Sequence, residues 1–366
     1  MARLVVGMSG GVDSSVTAAL LVEAGHEVVG ITLRTTAWPA PFDETSRFGA
    51  CCSPVTAQGA RAVAGQLGIP YYLLNHEREF AAAVIEDFTR EYRAGRTPSP
   101  CVVCNRDVKF GTLLRRALAW EADGVATGHY ARVDRDPVSG RLLLRAGVDL
   151  AKDQSYFLWP LTQAQLAHAR FPIGGLTKTE VRALARARGL ATAETPESQE
   201  LCFVRGDYRE FLRQRAPEAF RPGPILDEAG QEIGVHGGLA AYTVGQRKGL
   251  GLATAQPRYV IRLDPSRNTV VVGAGAALET DRLIATEVNL IALDRLDSPL
   301  RIEARIRHRA PRVAAEVRPR GPGVVDVRFA TPQRAVTPGQ SVVFYRGDVV
   351  LGGGIIAATP PVAGAA

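Results

Sequence analysis

A glycine-rich loop that joins a predicted strand to a predicted helix constrains this chain most. The apolar run Leu4 to Gly7 leads into Ser9-Gly10-Gly11-Val12-Asp13-Ser14-Ser15, and a helical pattern continues to Ala24. Glycines let backbone amides approach an anion, and the start of a helix adds positive potential. Because the dipeptide Gly-Lys occurs nowhere in the sequence, the loop is not of the Walker type. It predicts an α/β domain with a phosphate-binding loop; the alternative is a tight strand-to-helix turn.

Strand-like and helix-like segments alternate over about the first 200 residues. Further predicted strands are Glu27 to Leu33, Pro70 to Leu74 and Gly124 to Thr127, and further predicted helices are Ala57 to Leu67, Phe80 to Tyr92 and Thr177 to Gly189. Thr177 and Glu180 have the spacing of a capping box. Such alternation is typical of βαβ units and predicts a parallel sheet.

The pattern changes after about residue 220, where Gly and Pro become frequent. Short alternating runs replace the helices, for example Arg258 to Leu263, Thr269 to Val272, Val324 to Phe329 and Ser341 to Tyr345. From about Val288 onward, this pattern predicts a small all-β module, a barrel.

Composition limits the cellular setting and the partners. The length of 366 residues predicts two or three domains, and a net charge of +7 fits phosphate-bearing partners. No apolar run approaches the roughly 20 residues of a membrane span, and the N-terminus lacks a signal-peptide pattern, so we expect a cytoplasmic protein without a membrane partner. Lysine occurs only at positions 109, 152, 178 and 248. Three of these fall in motifs, and Lys178 is interpreted as a helix-start residue.

The five cysteines, an odd number, argue against a disulfide framework. Cys101 and Cys104 form a Cys-x-x-Cys spacing, which suits a redox pair or half of a metal site. A loop followed by a helix from Asn105 would place Cys104 at a helix N-terminus, where a thiolate is stabilised. Cys202 lies on a strand-like run and, taken alone, is more typical of a core residue than of a nucleophile. Burial of inert thiols is the alternative for the pair.

Several motifs occur in order along nearly the whole chain. They are the Ser9 loop, Thr127 to Arg132, Lys152 to Leu158, the Cys104 and Cys202 segments, Gly245 to Gly251, and Pro338 to Gln340. By these motifs the sequence resembles the tRNA-specific 2-thiouridylases, and its first loop resembles the pyrophosphate loop of N-type ATP pyrophosphatases. The resemblance implies a parallel-sheet N-type ATP pyrophosphatase (adenine nucleotide α-hydrolase-like) domain over residues 1–205. A small central β-rich tRNA-binding domain (206–282), a C-terminal β-barrel that binds tRNA (283–358) and a disordered tail (359–366) would follow.

The resemblance also implies an activity, the ATP-dependent 2-thiolation of the wobble uridine of tRNA. The C2 oxygen would be adenylated, and a cysteine persulfide on Cys202 would supply sulfur, giving 2-thiouridine, AMP and pyrophosphate. Cys104 would be the nucleophile, and a Cys104–Cys202 disulfide would remain to be reduced. The residues implied to contact ATP are Gly7, Met8, Ser9, Gly10, Gly11, Val12, Asp13, Ser14, Leu33 and Gly128. Those implied to contact tRNA are His129, Lys152, Asp153, Gln154, Arg307, His308 and Gln340, with Ser99, Pro100 and Cys101 at the target uridine.

The expected cofactors are ATP and Mg²⁺, with Asp13 helping to hold Mg²⁺ on the pyrophosphate; no residue is assigned as a dedicated metal ligand. The expected partners are wobble-uridine tRNAs for Lys, Glu and Gln, together with a cysteine desulfurase or sulfur-relay protein that donates the persulfide. Both expectations follow from the resemblance, apart from the role of Asp13, which follows from its place in the loop.

Some features depart from the family pattern or allow a different function. The family often has Asn-Pro-Asp at Ser99-Pro100-Cys101, so an acid–base role of that Asp does not carry over to Cys101. Cys51-Cys52 follows a Cys-Cys pattern of some members and is interpreted as a partly buried loop pair. Cys101, Cys104 and Cys202 could instead ligate an iron–sulfur cluster. The sequence is also compatible with an adenylating amidotransferase or lysidine-type ligase, which would not need the thiols, and with a non-catalytic RNA-binding module that has a degenerate ATP site.

Overall fold

The structure, a computed structural model, describes residues 1–37, 53–196, 201–204, 206–254 and 256–359. The predicted loop pair Cys51-Cys52 and residues 360–366 of the predicted tail (359–366) lie outside these residues. The strands are β1 (Arg3–Gly7), β2 (Glu27–Arg34), β3 (Tyr71–Asn75), β4 (Gly124–Thr127), β5 (Ala131–Arg135), β6 (Leu142–Ala146), β7 (Ala169–Arg170), β8 (Gly223–Leu226), β9 (Glu232–His236), β10 (Tyr259–Asp264), β11 (Thr269–Gly273), β12 (Glu279–Leu290), β13 (Leu300–Arg305), β14 (Val313–Gly321), β15 (Val324–Arg334), β16 (Ser341–Arg346) and β17 (Val349–Ala358). The helices are α1 (Val12–Glu23), α2 (Pro54–Leu67), α3 (Glu77–Phe80), α4 (Glu86–Arg93), α5 (Pro100–Val103), α6 (Leu114–Ala119), α7 (Gln163–Ala167), α8 (Lys178–Ala187) and α9 (Tyr208–Arg215).

The first of two compact units contains the parallel sheet. This unit comprises Met1–Val84, Cys101–Gly206 and Asp348–Val350. Its sheet has the strand order β3-β2-β1-β4-β7, and each neighbouring pair is parallel. The predicted ends of β1 to β4 differ from the observed ends by no more than one residue. The predicted α/β fold class is confirmed.

Helices α1, α2 and α8 supply the core that packs with this sheet. Wholly buried members of that core are Val6, Val16, Val63 and Val181. Helix α8 begins with the predicted capping box: the Thr177 hydroxyl accepts from the Glu180 N–H, and the Glu180 carboxylate accepts from the Thr177 N–H. Both orphan donors at this helix start are thereby satisfied, which fixes where α8 begins.

The predicted helix Phe80 to Tyr92 is longer and less regular than expected. Helical structure runs from Glu77 to Arg93, but Ala81–Ile85 is π-helical and separates α3 from α4. The hydrophobic spacing therefore predicted the position of the helix correctly, but it did not indicate the π-helical turn within it.

The second unit contains two β structures. The smaller is a sheet of order β10-β11-β8-β9, whose core includes the wholly buried Ile225, Val260, Val270 and Val272. The larger is a six-stranded ring of order β12-β15-β14-β13-β16-β17, which the pairing of β12 with β17 closes. The predicted C-terminal barrel is confirmed. Helices with the length and hydrophobicity that a membrane crossing requires are absent from the described part of the chain.

Candidate active site

The Ser9 loop lies at the carboxyl end of β1 and is held by its own serines. The Ser9 N–H donates to the Ser14 hydroxyl at 3.2 Å, and the Ser14 hydroxyl lies 3.0 Å from the Gly11 carbonyl oxygen, to which it donates. On the side of β2, the Thr32 hydroxyl donates to the Met8 carbonyl oxygen at 2.6 Å. These bonds fix the loop before any ligand binds.

Two glycines give this loop its shape. Gly10 has a φ of +76°, and a Cβ at this position would lie 2.0 Å from the Thr56 carbonyl oxygen. Gly11 is the N-cap of α1, and no side chain caps the helix there. The first amides of α1 are therefore left for an anion, as in other phosphate sites at helix N-termini.

The loop after β4 closes in on the same helix start. A Cβ on Gly128 would lie 2.8 Å from the Asp13 carbonyl carbon and from the Ser14 nitrogen. Leu33, near the end of the neighbouring β2, is half-buried. The residues implied to contact ATP thus gather along the carboxyl edge of one parallel sheet, where α/β proteins usually bind ligands. Their contacts with ATP stay predictions.

Asp13 has two partners that the sequence did not suggest. Lys178 Nζ lies 2.7 Å from Oδ1 and 2.8 Å from Oδ2 of Asp13. The Tyr130 hydroxyl donates to Asp13 Oδ1 at 2.8 Å. The interpretation of Lys178 as only a helix-start residue was wrong, because its side chain reaches Asp13 in the Ser9 loop. The available signal was the scarcity of lysine, four among 44 basic residues.

This pairing bears on the predicted role of Asp13 toward Mg²⁺. Both of its carboxylate oxygens already accept hydrogen bonds from Lys178. Among the described residues, no three His, Cys, Asp or Glu side chains converge on a metal position. Asp13 therefore does not fit as a direct Mg²⁺ ligand in this arrangement, and Mg²⁺ stays a prediction.

Cys104 lies inside a helix, whereas the sequence predicts a helix from Asn105 with Cys104 just before it, so the predicted helix start was wrong. Helical structure begins at Pro100, since proline suits the first position of a helix, and continues through a π-helical segment, Cys104–Leu113, into α6. Cys101 and Cys104 are three residues apart and share one helix face. Cys101 is exposed and Cys104 half-exposed. π-Helical turns are rare, and many of those observed lie at functional sites.

Cys202 lies in a turn, not on the predicted strand. The ring of the following residue, Phe203, packs edge-on against Phe80, with 5.7 Å between ring centroids. Phe80 belongs to α3, which also packs against the Cys104–Leu113 helix. The turn of Cys202 and the helix of Cys104 therefore share one neighbour. No disulfide joins Cys101, Cys104 or Cys202, the cysteines that the structure describes.

His129 is buried against the Cys104 helix. Only 7% of it is exposed, and its ring lies near the rings of Phe110 and Phe171. Its Nε2 lies 3.4 Å from Lys109 Nζ, and its Nδ1 lies 2.7 Å from the Thr127 hydroxyl. Burial, with a smaller effect of the Lys109 ammonium, holds the pKa of His129 well below its usual range. A neutral His129 can accept from Lys109 and orient it; its tRNA contact stays a prediction.

The segment from Lys152 to Gln154 is held mostly by internal contacts. Asp153 is 1% exposed, and its carboxylate accepts from the backbone of Gly147 and Ser155. The Gln154 side chain accepts from the Tyr130 N–H at 3.1 Å. Asp153 and Gln154 therefore shape the segment, and Lys152 is half-buried. Its contact with tRNA stays a prediction.

In the second unit, Gln340 holds the chain just before Ser99. Its side-chain amide donates to the carbonyl oxygens of Thr97 and Pro98, both at 2.9 Å. The Thr97 N–H donates to the Pro338 carbonyl oxygen at 2.9 Å. The motif Pro338 to Gln340 thus fixes the backbone that leads into Ser99 and Pro100, the residues implied to meet the target uridine.

The arginine-rich stretch that runs from Arg305, the last residue of β13, to Arg312 contains two kinds of side chain. Arg305 and Arg312 lie over the Tyr345 ring, with 5.6 and 3.9 Å from guanidinium carbon to ring centroid. Arg307 is exposed and donates to the Arg334 carbonyl oxygen, and His308 is half-buried. The tRNA contacts of Arg307 and His308 stay predictions.

Three family models and the curated relatives match this chain over nearly its whole length. Residues 2–206 match the family described as tRNA methyl transferase HUP domain, residues 209–274 the tRNA methyl transferase PRC-barrel domain, and residues 280–356 the aminomethyltransferase β-barrel domain. The "tRNA-specific 2-thiouridylase MnmA" of Roseiflexus castenholzii is 53% identical and covers 98% of this chain and 100% of that relative. The relative of the same name from Heliobacterium modesticaldum is 52% identical, and the match covers 96% of this chain and 92% of that relative.

Proposed function

Because the chain belongs to the family of tRNA-specific 2-thiouridylases, we propose that it uses ATP to thiolate C2 of the wobble uridine of tRNA. The observation that carries the proposal is the Ser9 loop, with its uncapped helix start and the close approach of Gly128. This loop supplies amides for a polyphosphate, as an adenylating enzyme requires.

The first proposed step is adenylation of the base. A uracil carbonyl oxygen is a poor leaving group, so sulfur cannot replace it directly. Transfer of AMP from ATP to this oxygen makes it a good leaving group and releases pyrophosphate. The amides at the start of α1 would stabilise the negative charge that develops on the pyrophosphate.

The second proposed step transfers sulfur. The terminal sulfur of a persulfide on Cys202 attacks C2, and AMP leaves. The Cys104 thiolate then attacks the Cys202 sulfur and breaks its bond to the sulfur atom on C2, which stays on the base as the thiocarbonyl. A Cys104–Cys202 disulfide forms, and a cellular dithiol reduces it. The shared packing of both segments on α3 supports this pairing of roles.

The proposed substrate contacts and partners follow from membership of the family. A wobble base must leave the anticodon stack to be modified, and Ser99, Pro100 and Cys101 are the residues proposed to meet it. Gln340 holds the backbone just before them, at Thr97 and Pro98. A cysteine desulfurase or a sulfur-relay protein would load Cys202.

Nucleoside mass spectrometry of tRNA from cells that lack this protein tests the function. We expect 2-thiouridine to be lost from the tRNAs for Lys, Glu and Gln and to return when the gene is restored. Unchanged 2-thiouridine together with the loss of another modification would instead identify an adenylating ligase of different specificity.

Replacing Arg307 by alanine should weaken tRNA binding through the loss of one phosphate contact. The slope of log K against log salt concentration should flatten by about one unit. Filter binding over a salt series measures this. Arg295→Ala is the matched control, since that exposed side chain pairs with the nearby Asp297. An unchanged slope for Arg307→Ala would place this residue outside the interface.

A further inference from the structure

Lys178 and Asp13 form an ion pair beside the phosphate-binding loop. The ammonium bonds both carboxylate oxygens, at 2.7 and 2.8 Å. The Lys178 side chain is only 11% exposed, whereas that of Asp13 is 31% exposed. The lysine is thus largely removed from water, and its charge requires an anionic partner at this place.

The backbone of Lys178 is fixed from two directions. It is the first residue of α8, directly after the capping-box residue Thr177. Its N–H donates to Asp149 Oδ2 at 3.0 Å. Its charged end, in contrast, lies on a four-carbon stem with several rotatable bonds. The ammonium can therefore change partner without any movement of the helix.

Asp13 is held from the other side by Tyr130. The Tyr130 hydroxyl donates to Oδ1 at 2.8 Å, so the carboxylate keeps a hydrogen-bond donor when Lys178 leaves. Asp13 also lies in the first turn of α1, beside the amides that would bind a phosphate. A polyphosphate in the loop would place further negative charge next to this carboxylate.

We propose that Lys178 exchanges partners: it pairs with Asp13 while the loop is empty and binds a phosphate oxygen of an incoming polyphosphate. The ammonium then neutralises charge on the phosphate, and Asp13 keeps its hydrogen bond from the Tyr130 hydroxyl. The proposal deepens the proposed function, because it names the residue that recognises the polyphosphate in the Ser9 loop. A compact ammonium with three donors suits this exchange better than a planar guanidinium.

Calorimetric titration of the full-length protein with inorganic pyrophosphate, without tRNA, tests the exchange. Lys178→Met should weaken pyrophosphate binding by a factor of about ten or more, the scale of a lost charge-assisted hydrogen bond. Asp13→Asn should strengthen it, since the lysine no longer has a competing partner. Lys248→Met, at an exposed lysine in the second unit, should leave the affinity unchanged.

The double variant Asp13→Asn/Lys178→Met separates exchange from simple repulsion. If Lys178 binds the phosphate, the gain caused by Asp13→Asn disappears when Lys178 is absent. If Asp13→Asn strengthens binding equally with and without Lys178, repulsion by Asp13 alone explains the gain and the proposal fails. Because the double variant removes both charges of the pair, it also controls for instability caused by an unpaired Asp13 in Lys178→Met. If the double variant bound pyrophosphate as tightly as the wild type, the proposal would likewise fail.

The same titration with ATP in place of pyrophosphate shows whether the nucleotide uses this contact. The effects of the variants on ATP should parallel those on pyrophosphate; an effect on pyrophosphate alone would contradict a role in nucleotide recognition. Neither titration involves sulfur, tRNA or turnover. A negative result in these titrations would therefore contradict the exchange by Lys178 but not the proposed thiolation of tRNA. An absence of thiolation, in turn, would not alter the measured affinities.

Discussion

Replacing Cys104 by serine is expected to stop 2-thiouridine formation while labelled sulfur still accumulates on Cys202. The rate should fall on the order of a thousandfold or more, as when a covalent nucleophile is lost. Cys202→Ser should fail one step earlier: it should still consume ATP to adenylate tRNA but accept no sulfur from a desulfurase, because a hydroxyl cannot hold a persulfide. Gel analysis of labelled protein and nucleoside mass spectrometry distinguish the two blocks.

Cys101→Ser is the matched control for this pair. Cys101 is exposed on the same helix face as Cys104. It is proposed to contact the uridine but forms no covalent bond in the proposed mechanism, so its variant should keep measurable activity. Equal inactivity of all three variants, together with iron in the anaerobically purified protein, would contradict the persulfide mechanism. A mechanism based on an iron–sulfur cluster would then take its place.

Gly10→Ala is expected to lower the rate of adenylation about a hundredfold while leaving tRNA affinity nearly unchanged. The new methyl group would lie 2.0 Å from the Thr56 carbonyl oxygen, so the loop or the start of α2 must move. A displacement of this size at a reacting centre can lower the rate about a hundredfold. Release of labelled pyrophosphate from ATP with tRNA present measures the step, and filter binding measures tRNA affinity.

Gly68→Ala is the matched control, because it introduces the backbone strain of a left-handed alanine without the steric collision. Gly68 has a φ of +66°, close to that of Gly10, but a Cβ there would meet nothing within 4 Å. Both variants therefore incur the left-handed conformational cost of about 1 kcal/mol, and only Gly10→Ala adds the collision. If the two variants keep the same adenylation rate, the close approach to Thr56 is not what shapes the loop.

Local patterns in the sequence predicted the elements around the loop well. The apolar runs of β1, β2 and β4 and the Thr177–Glu180 capping box appear in the structure nearly as expected. Such features depend on neighbours a few residues apart, whose spacing is visible in the sequence.

Features that depend on distant contacts were predicted less well. The Asp13–Lys178 pair joins residues 165 positions apart, so no local spacing indicates it. The run around Cys202 is strand-like in sequence, but Cys202 lies in a turn and Phe203 packs on the distant Phe80. The helix of Cys104 begins earlier than predicted because Pro100 was taken as part of the loop, although proline suits a helix start.

The closure of the barrel has a consequence for how the chain is made. Strand β12 pairs with β17 across a long separation in sequence, for example Ile284 with Ala358. Until β17 has left the ribosome, β12 and β16 each keep an open edge that can recruit a strand from another molecule. The barrel must therefore complete its folding after synthesis of β17, and the nascent chain is most prone to aggregation in the interval before the ring closes.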